Sequence, residues 1–273
     1  MSAPDCSALL CCPACAAAGR IVFDPDDRHP RAARCGACGN ALAVRDGVPD
    51  FAPGISLQDP ALRPPQRVMN TRQFARLYET PLWRPLHTWI GSGMSWTEEV
   101  RRVLEMAAGG TVATVADLAC GTGHYARAFG RRLPEATVYA LDISPGMLAQ
   151  GRVISEREGV GNVRFLRGDI HRLPFPDGSL DLVNCGGALH LFADTPRIWR
   201  EVHRVLRRGG RFTAMTIPAR SGLAGCVQQR LMRRGAATFF VPERLQEDLR
   251  QAGFHRFKHA VRRFSLLFAA DKA

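Results

Sequence analysis

Residues Asp117 to Tyr125 read D-L-A-C-G-T-G-H-Y and follow directly on the apolar run Thr111 to Ala116. A strand that runs into Gly121, Thr122 and Gly123 must turn sharply, and glycine there lets backbone amides come close to a ligand. Ala126, Phe129 and Leu133 then recur at helical spacing, so the turn opens a helix whose N-terminus faces that ligand. The stretch predicts a strand–turn–helix cradle for a nucleotide-like cofactor.

Outward from this turn the pattern alternates strand and helix, the mark of a mostly parallel sheet in an α/β domain. Strands are predicted near 113–119, 137–142, 163–168, 180–186 and 210–217, with helices near 123–133, 145–157 and 195–207. Amphipathic helices follow over Arg220 to Ala236 and Val241 to Ala252, and 254–271 alternates as a terminal strand pair. Upstream, 70–107 carries apolar residues at helical spacing broken by Pro81, Pro85 and Gly91 to Gly93, which predicts a helical cap. Residues 55–68 hold three prolines and no periodicity, as a linker does. Three units result: 1–54, 55–108 as linker and cap, and 109–273 with a lid at about 218–240.

The glycine turn alone also fits a dinucleotide fingerprint, G-x-G-x-x-A at Gly121, Gly123 and Ala126 with Asp142 at a suitable distance, so NAD competes. Two acidic signals weigh against it. Asp117 sits four residues before Gly121 at the end of the first strand, and Asp169 stands in Gly168-Asp169-Ile170 ahead of L-P-F-P-D-G-S-L-D.

Four ordered segments, D-L-A-C-G-T-G, A-L-D-I-S-P-G-M-L, G-D-I-H-R-L-P-F-P-D-G-S-L-D and R-V-L-R-R-G-G-R-F, resemble class I S-adenosylmethionine-dependent methyltransferases. The resemblance is to the branch with the ubiquinone and menaquinone C-methyltransferases, and it is strong over 109–217. Where that family has R-P-G-G, this chain has R-R-G-G at Arg207 to Gly210. It implies a Rossmann-like methyltransferase sheet with an antiparallel terminal strand, and S-adenosylmethionine held by Asp117, Ala119, Gly121, Gly123, Asp142, Ile143, Met147, Asp169, Ile170 and Asn184. Asp117 would accept from the methionine ammonium and Asp142 from both ribose hydroxyls, as an acid does for NAD ribose. Ile143 and Met147 would pack on adenine, and Asp169 with the Ile170 amide would read its edge. Ser144 suits the helix N-cap better than Asp142 does. Asp181 is expected to serve the fold.

Methyl transfer is a displacement in which positioning and desolvation do much of the work, and a base is required only when the acceptor must lose a proton. His190, beyond the fourth strand in A-L-H-L, is the candidate base because histidine titrates near neutrality; holding the loop is its equal alternative. His124 flanks the cofactor. By the resemblance, Tyr78 and Trp83 of the cap would shield the methyl group, with plain core packing the alternative.

Nine cysteines include Cys12-Pro-Ala-Cys15 and Cys35-Gly-Ala-Cys38, nineteen residues apart. That spacing is a zinc ribbon's, and four thiolates fill a tetrahedral shell, so the metal is expected to be structural. Cys11 competes with Cys12, but C-P-x-C is the tighter register. Gly47 to Phe51 resembles the end of a Trm112-like zinc module. A ribbon ahead of this domain resembles both rRNA guanine methyltransferases and quinone-type enzymes with small acceptors. Five arginines against six aspartates in residues 1–54 disfavour a phosphate-gripping ribbon.

The net charge of +12 lies wholly in the last 79 residues, where 17 basic side chains face 5 acidic ones. Such a segment attracts nucleic acid, a membrane surface or an acidic small molecule, or simply reflects arginine on solvated faces. Arg220, Arg230, Arg233 and Arg234 interleave with Leu223, Val227, Leu231 and Met232, a pattern that fits a lid over an apolar, partly anionic acceptor and equally a lid facing solvent with its arginines. No apolar run is long enough to span a membrane, no signal peptide is legible, and cysteines in close pairs suit a cytoplasmic, metal-binding protein better than a disulfide-stapled one. The expectation is a methyltransferase with a quinone-like, phenolic or polyketide-like acceptor. The alternatives are an RNA methyltransferase and a non-catalytic cofactor-binding scaffold.

Overall fold

The fold is that of a computed structural model, which describes residues 9–56, 71–80 and 92–273. The N-terminal unit is built from short strands: β1 (Ile21–Asp24), β2 (Ala32–Cys35) and β3 (Ala41–Leu42) form one antiparallel sheet, β4 (Val44–Arg45) and β5 (Val48–Pro49) a second. Among the described residues two helices belong to the cap, α1 (Arg72–Tyr78) and α2 (Trp96–Ala107). Thr71 and Ser95 cap them by accepting from the Phe74 and Glu98 amides at 3.2 and 3.3 Å. Most of the linker, and the cap residues from Pro81 to Gly91 with Trp83 among them, lie outside the described residues.

The remainder alternates as the sequence predicts: β6 (Thr114–Leu118), α3 (His124–Arg132), β7 (Thr137–Asp142), α4 (Pro145–Arg157), β8 (Val163–Arg167), β9 (Leu180–Gly186), α5 (Thr195–Val205), β10 (Leu206–Thr216), α6 (Gly222–Arg233), α7 (Pro242–Gln251), β11 (Phe254–Arg262) and β12 (Ser265–Lys272). The seven strands order as β11-β12-β10-β9-β6-β7-β8. β10, β9, β6, β7 and β8 are parallel, whereas β12 runs antiparallel between β10 and β11. Central strands covered by helices on both faces read as continuous apolar runs, and the first five residues of β7 are all buried.

Local chemistry sets the helix starts. Ser144 caps α4 by accepting from the Met147 amide, with Pro145 at the first turn, and Asp194 caps α5 from the Arg197 amide at 3.1 Å. Asp181 is a structural brace: one carboxylate oxygen accepts from the Ala113 and Thr114 amides, each at 2.8 Å, and the other pairs with Arg207. The second arginine of R-R-G-G aside, the turn keeps its role, but β10 begins earlier than predicted. Leu206 already pairs with Leu180, and a register shift between Leu206 and Arg211 absorbs the turn.

The cysteine-bearing unit does not stand apart from this sheet. Leu10, Ile21, Leu42 and Phe51 share one buried cluster with Ile170, Leu173 and Phe175. Asp50 bridges to Arg167 in parallel, and the Phe51 amide donates to the Arg167 carbonyl at 2.8 Å. β5 thereby packs along β8, the sheet's outer parallel strand.

Candidate cofactor cradle and metal cluster

The carboxyl ends of β6, β7, β8 and β9 bring the predicted cradle together. β6 ends in a turn whose residues Ala119, Gly121 and Gly123 all take positive φ, 49°, 56° and 74°. For alanine that conformation is costly and marks a spot the surroundings over-determine. A Cβ placed on Gly121 would meet nothing within 4 Å, whereas one on Gly123 would stand 2.7 Å from the Phe165 ring. Gly121 thus opens onto free space where a cofactor can approach backbone, and Gly123 is required by packing as well as by φ. The N-cap of α3 is Gly123, which has no capping side chain; Asp117 takes the Ala126 amide of the first turn, and the helix N-terminus favours a polar, electron-rich ligand group.

Three acids stand along the carboxyl ends of β6, β7 and β8 in distinct settings. Asp142, ending β7, accepts from the Gly121 amide and the Ser144 amide, each at 2.8 Å, so it fixes the turn it is expected to serve. Asp117 is wholly buried and accepts from Asn184 Nδ2 at 2.7 Å and the Ala126 amide at 2.9 Å. Asn184 in turn accepts from Thr213 Oγ1 at 3.0 Å, which ties β6, β9 and β10 into one buried network. Burial pushes Asp117 up to about 7 against those two hydrogen bonds, and burial raises Asp142 as well. Asp169 differs: although burial pulls the other way, the His171 ring and amide, at 3.0 and 2.9 Å, hold it below the usual carboxylate range. Ile143 is half-buried, Met147 and Ile170 are buried.

His190 sits in a short 3-10 turn, Leu189–Leu191, directly after β9, and its carbonyl accepts from the Thr238 amide at 2.7 Å. Tyr78 closes α1 and packs 6.0 Å from the Phe74 ring. The next residue, Glu79, takes a hydrogen bond from the Thr122 hydroxyl in the glycine turn. The cap therefore reaches the cradle through an acid the sequence reading passed over.

The four cysteine sulfurs of Cys12, Cys15, Cys35 and Cys38 lie within 4.8 Å of one another, with Cys12–Cys38 and Cys15–Cys35 each at 3.8 Å. A tetrahedral zinc–thiolate site with bonds of about 2.3 Å has edges of roughly 3.8 Å. Each knuckle closes alike: the Ala16 amide returns to the Cys12 carbonyl and the Gly39 amide to the Cys35 carbonyl, both at 2.9 Å, with positive φ at Ala16 and Gly39. Cys11 is outside this cluster; its amide instead donates to the Pro174 carbonyl. The donor set fits a closed tetrahedral ion.

The methyltransferase domain family matches residues 116–214, the segment from β6 to β10 that builds the cradle. An uncharacterised chloroplastic methyltransferase of Arabidopsis thaliana is 31% identical, over 89% of this chain and 73% of that protein. The chain belongs to the class I S-adenosylmethionine-dependent methyltransferases. A demethylmenaquinone methyltransferase of Thermus thermophilus is 38% identical over 129 residues, 47% of this chain and 57% of that protein. The chain spans about half the length of the demethylmenaquinone methyltransferases it matches. The solved phosphoethanolamine N-methyltransferase 2 of Haemonchus contortus, in complex with S-adenosylhomocysteine, shares the fold with a TM-score of 0.64 at 16% identity, over 80% of this chain and 60% of that one.

Two groups of this methyltransferase were not foreseen from sequence. Buried Arg127 pairs with Glu158 at 2.8 Å, lies 4.0 Å from Glu79 and holds the Thr122 carbonyl, so it locks the turn to α4 and to the cap. Arg167 donates to Asp50 at 2.7 Å, to the Ala52 and Ile55 carbonyls, and through Nε to the Ile143 carbonyl at 3.1 Å. One side chain thus joins the cysteine-bearing unit to the Ile143 side of the cradle. A separate cleft of about 270 Å³ opens between that unit and α4, lined by His29, Arg152 and Glu156 and floored by Phe165. It lies toward the start of β8, away from the carboxyl edge, so it is not the cofactor site.

Proposed function

We propose that this methyltransferase moves the methyl group of S-adenosylmethionine to oxygen or carbon of a small, apolar acceptor, quinone-like, phenolic or polyketide-like. The observation that carries the reading is the open glycine turn with Asp142 on its Gly121 amide and Asp117 on the Ala126 amide of the following helix, in a chain related to demethylmenaquinone methyltransferases. Asp142 holds the ribose hydroxyls and Asp117, its oxygens already committed to Asn184 and Ala126, offers remaining lone pairs to the methionine ammonium. Ile143 and Met147 cover adenine, and Asp169 with the Ile170 amide reads its edge. Ala119, Gly121, Gly123 and Asn184 shape the space between. S-adenosylmethionine supplies an electrophilic methyl group on a sulfonium that leaves as a neutral thioether. His190, in the turn after β9 at the carboxyl edge of the sheet, would take the proton that an acceptor hydroxyl or activated carbon must lose. Tyr78, at the end of α1, excludes water.

In the same reading, residues 1–54 are a zinc ribbon with a structural ion on Cys12, Cys15, Cys35 and Cys38, followed by linker and cap to 108 and the catalytic domain from 109. A cluster of reduced thiolates suits the cytoplasm.

Charge linkage gives a pH signature. An acid raised by burial contributes stability below the ordinary carboxylate range, and that contribution is lost as pH rises through about 7 for Asp117. The cationic cofactor favours the ionised form, so its affinity is expected to rise between pH 5.5 and 8 and to be accompanied by proton release near pH 6. Calorimetry in buffers of different ionisation enthalpy checks this; Asp117→Asn should remove the step, and a pH-flat wild type would contradict it.

The function itself is tested by supplying methyl-labelled S-adenosylmethionine with host extract and dividing the label between organic-soluble and RNA fractions. Label is expected in the organic fraction, with His190→Ala cutting it about 10²- to 10⁴-fold at unchanged cofactor affinity. Label in RNA would replace the small-acceptor reading, and full turnover by the variant would return His190 to a loop-holding role.

A further inference from the structure

Helix α6 is mounted inside out. Among the residues of Gly222–Arg233 only Gly225 is buried, and the helix is tethered by Gln228, which donates to the Pro218 carbonyl at 3.0 Å and accepts from the Arg220 amide at 2.7 Å. Leu223, Val227 and Leu231, at i, i+4 and i+8, form one stripe on the opposite side. Leu223 is 89% exposed and Val227 60%. An amphipathic helix normally turns such a stripe toward its own core.

The two chain segments beside the stripe are basic, although α7, packed on β11, carries Glu243, Glu247 and Asp248, and Arg262 faces Glu98. From Ile217 to Val241 the chain carries Arg220, Arg230, Arg233 and Arg234 and no acid; β11 and its turn, Phe254 to Phe264, carry Arg256, Lys258, Arg262 and Arg263 and no acid. The two segments meet where the Arg220 guanidinium lies over the Phe264 ring, 5.4 Å from its centroid, and that ring is itself half exposed.

We propose that α6, with the β11–β12 turn beside it, is an interfacial element that docks this methyltransferase on an anionic lipid bilayer. The leucine–valine stripe inserts at the acyl boundary while the arginine margin meets acidic headgroups, the arrangement of helices that lie in a membrane surface. Charge alone would also suit nucleic acid. The stripe is aliphatic, however, and single-stranded nucleic acid is held by aromatic faces on which bases stack. No described helix is long and apolar enough to cross a bilayer. The docked face adjoins the site, because Thr238, after α6, bonds the His190 carbonyl and the Phe192 carbonyl. An apolar acceptor would then reach the cradle from the bilayer rather than through water.

The test is co-sedimentation of the full chain, without cofactor, with vesicles of phosphatidylcholine alone and of phosphatidylcholine with an equal part of phosphatidylglycerol. Wild type is expected on the acidic vesicles, with partitioning at least tenfold lower on neutral ones. Leu223→Glu/Val227→Glu should lose at least tenfold, and Arg230→Glu/Arg233→Glu roughly fivefold or more per arginine. All four positions are exposed, so an unchanged thermal transition separates lost docking from lost fold. Wild type remaining in the supernatant, or an acidic-stripe variant that binds as well, overturns the proposal. Binding to a single-stranded RNA in place of vesicles reassigns the surface to nucleic acid, and a dimer abolished by Leu223→Glu reassigns it to a second copy. Because vesicle binding needs neither cofactor nor turnover, each of these failures leaves the methyl-transfer reading intact.

Discussion

Asp142→Ala is expected to weaken S-adenosylmethionine binding at least a hundredfold. The carboxylate holds the Gly121 and Ser144 amides at 2.8 Å each, and in the proposed complex it also accepts both ribose hydroxyls. Hydrogen bonds to a charged acceptor contribute about 1.5–3 kcal/mol each, so losing two corresponds to roughly 10²- to 10⁴-fold in affinity. The turn suffers too, since the Gly121 amide loses its acceptor at a residue already held at positive φ. Asp142→Asn, which keeps one acceptor and loses the charge, should fall between. Equilibrium dialysis with labelled cofactor measures both, and wild-type affinity in Asp142→Ala would remove this residue from the site.

Cys12→Ser/Cys35→Ser is expected to strip the metal and unfold more than a peripheral knuckle. Structural zinc contributes about 10–16 kcal/mol in small zinc-finger peptides, comparable with the whole stability of a domain. Here Cys12 and Cys35 are buried in the cluster that joins Leu10, Ile21 and Phe51 to Ile170, Leu173 and Phe175. Loss of even about 5 kcal/mol should lower the melting temperature by roughly 10–20 °C in a domain of this size. Cofactor affinity should fall with it, because Arg167 links Asp50 to the Ile143 carbonyl. Elemental analysis should find one zinc per chain in wild type and none in the variant. A zinc-free wild type that melts where the chelated protein melts would contradict the ribbon.

What was legible in the sequence was what short-range chemistry decides. Glycine spacing after an apolar run located the turn, and Ser144-Pro145 and Asp194 announced helix starts. The paired C-x-x-C spacing placed four sulfurs that do converge. Asp181, expected from the sequence to serve the fold, lies at the start of β9, opposite the edge where the proposed cofactor acids Asp117 and Asp142 sit.

The rest depends on residues distant in the chain. Arg127 meets Glu158 31 positions away, and Arg167 meets Asp50 across 117, so no local pattern announces either pair. Asp117 reads from sequence as an acid waiting for a ligand, yet both its oxygens have protein partners, a fact set by where β9 brings Asn184. The period of α6 was plain, but periodicity does not say which side faces the core. Its interleaved leucines and arginines fit a lid over the acceptor and a solvent-facing helix equally, and Leu223 and Val227 are exposed.

The most direct test of the central claim is a competition between two cofactors for the glycine turn. Titration of the wild-type chain with S-adenosylmethionine and, separately, with NAD distinguishes the proposed cradle from a dinucleotide site. Saturable binding of S-adenosylmethionine, displaced by S-adenosylhomocysteine and untouched by NAD, is the expected result. Saturable NAD binding that S-adenosylmethionine fails to displace would contradict the account.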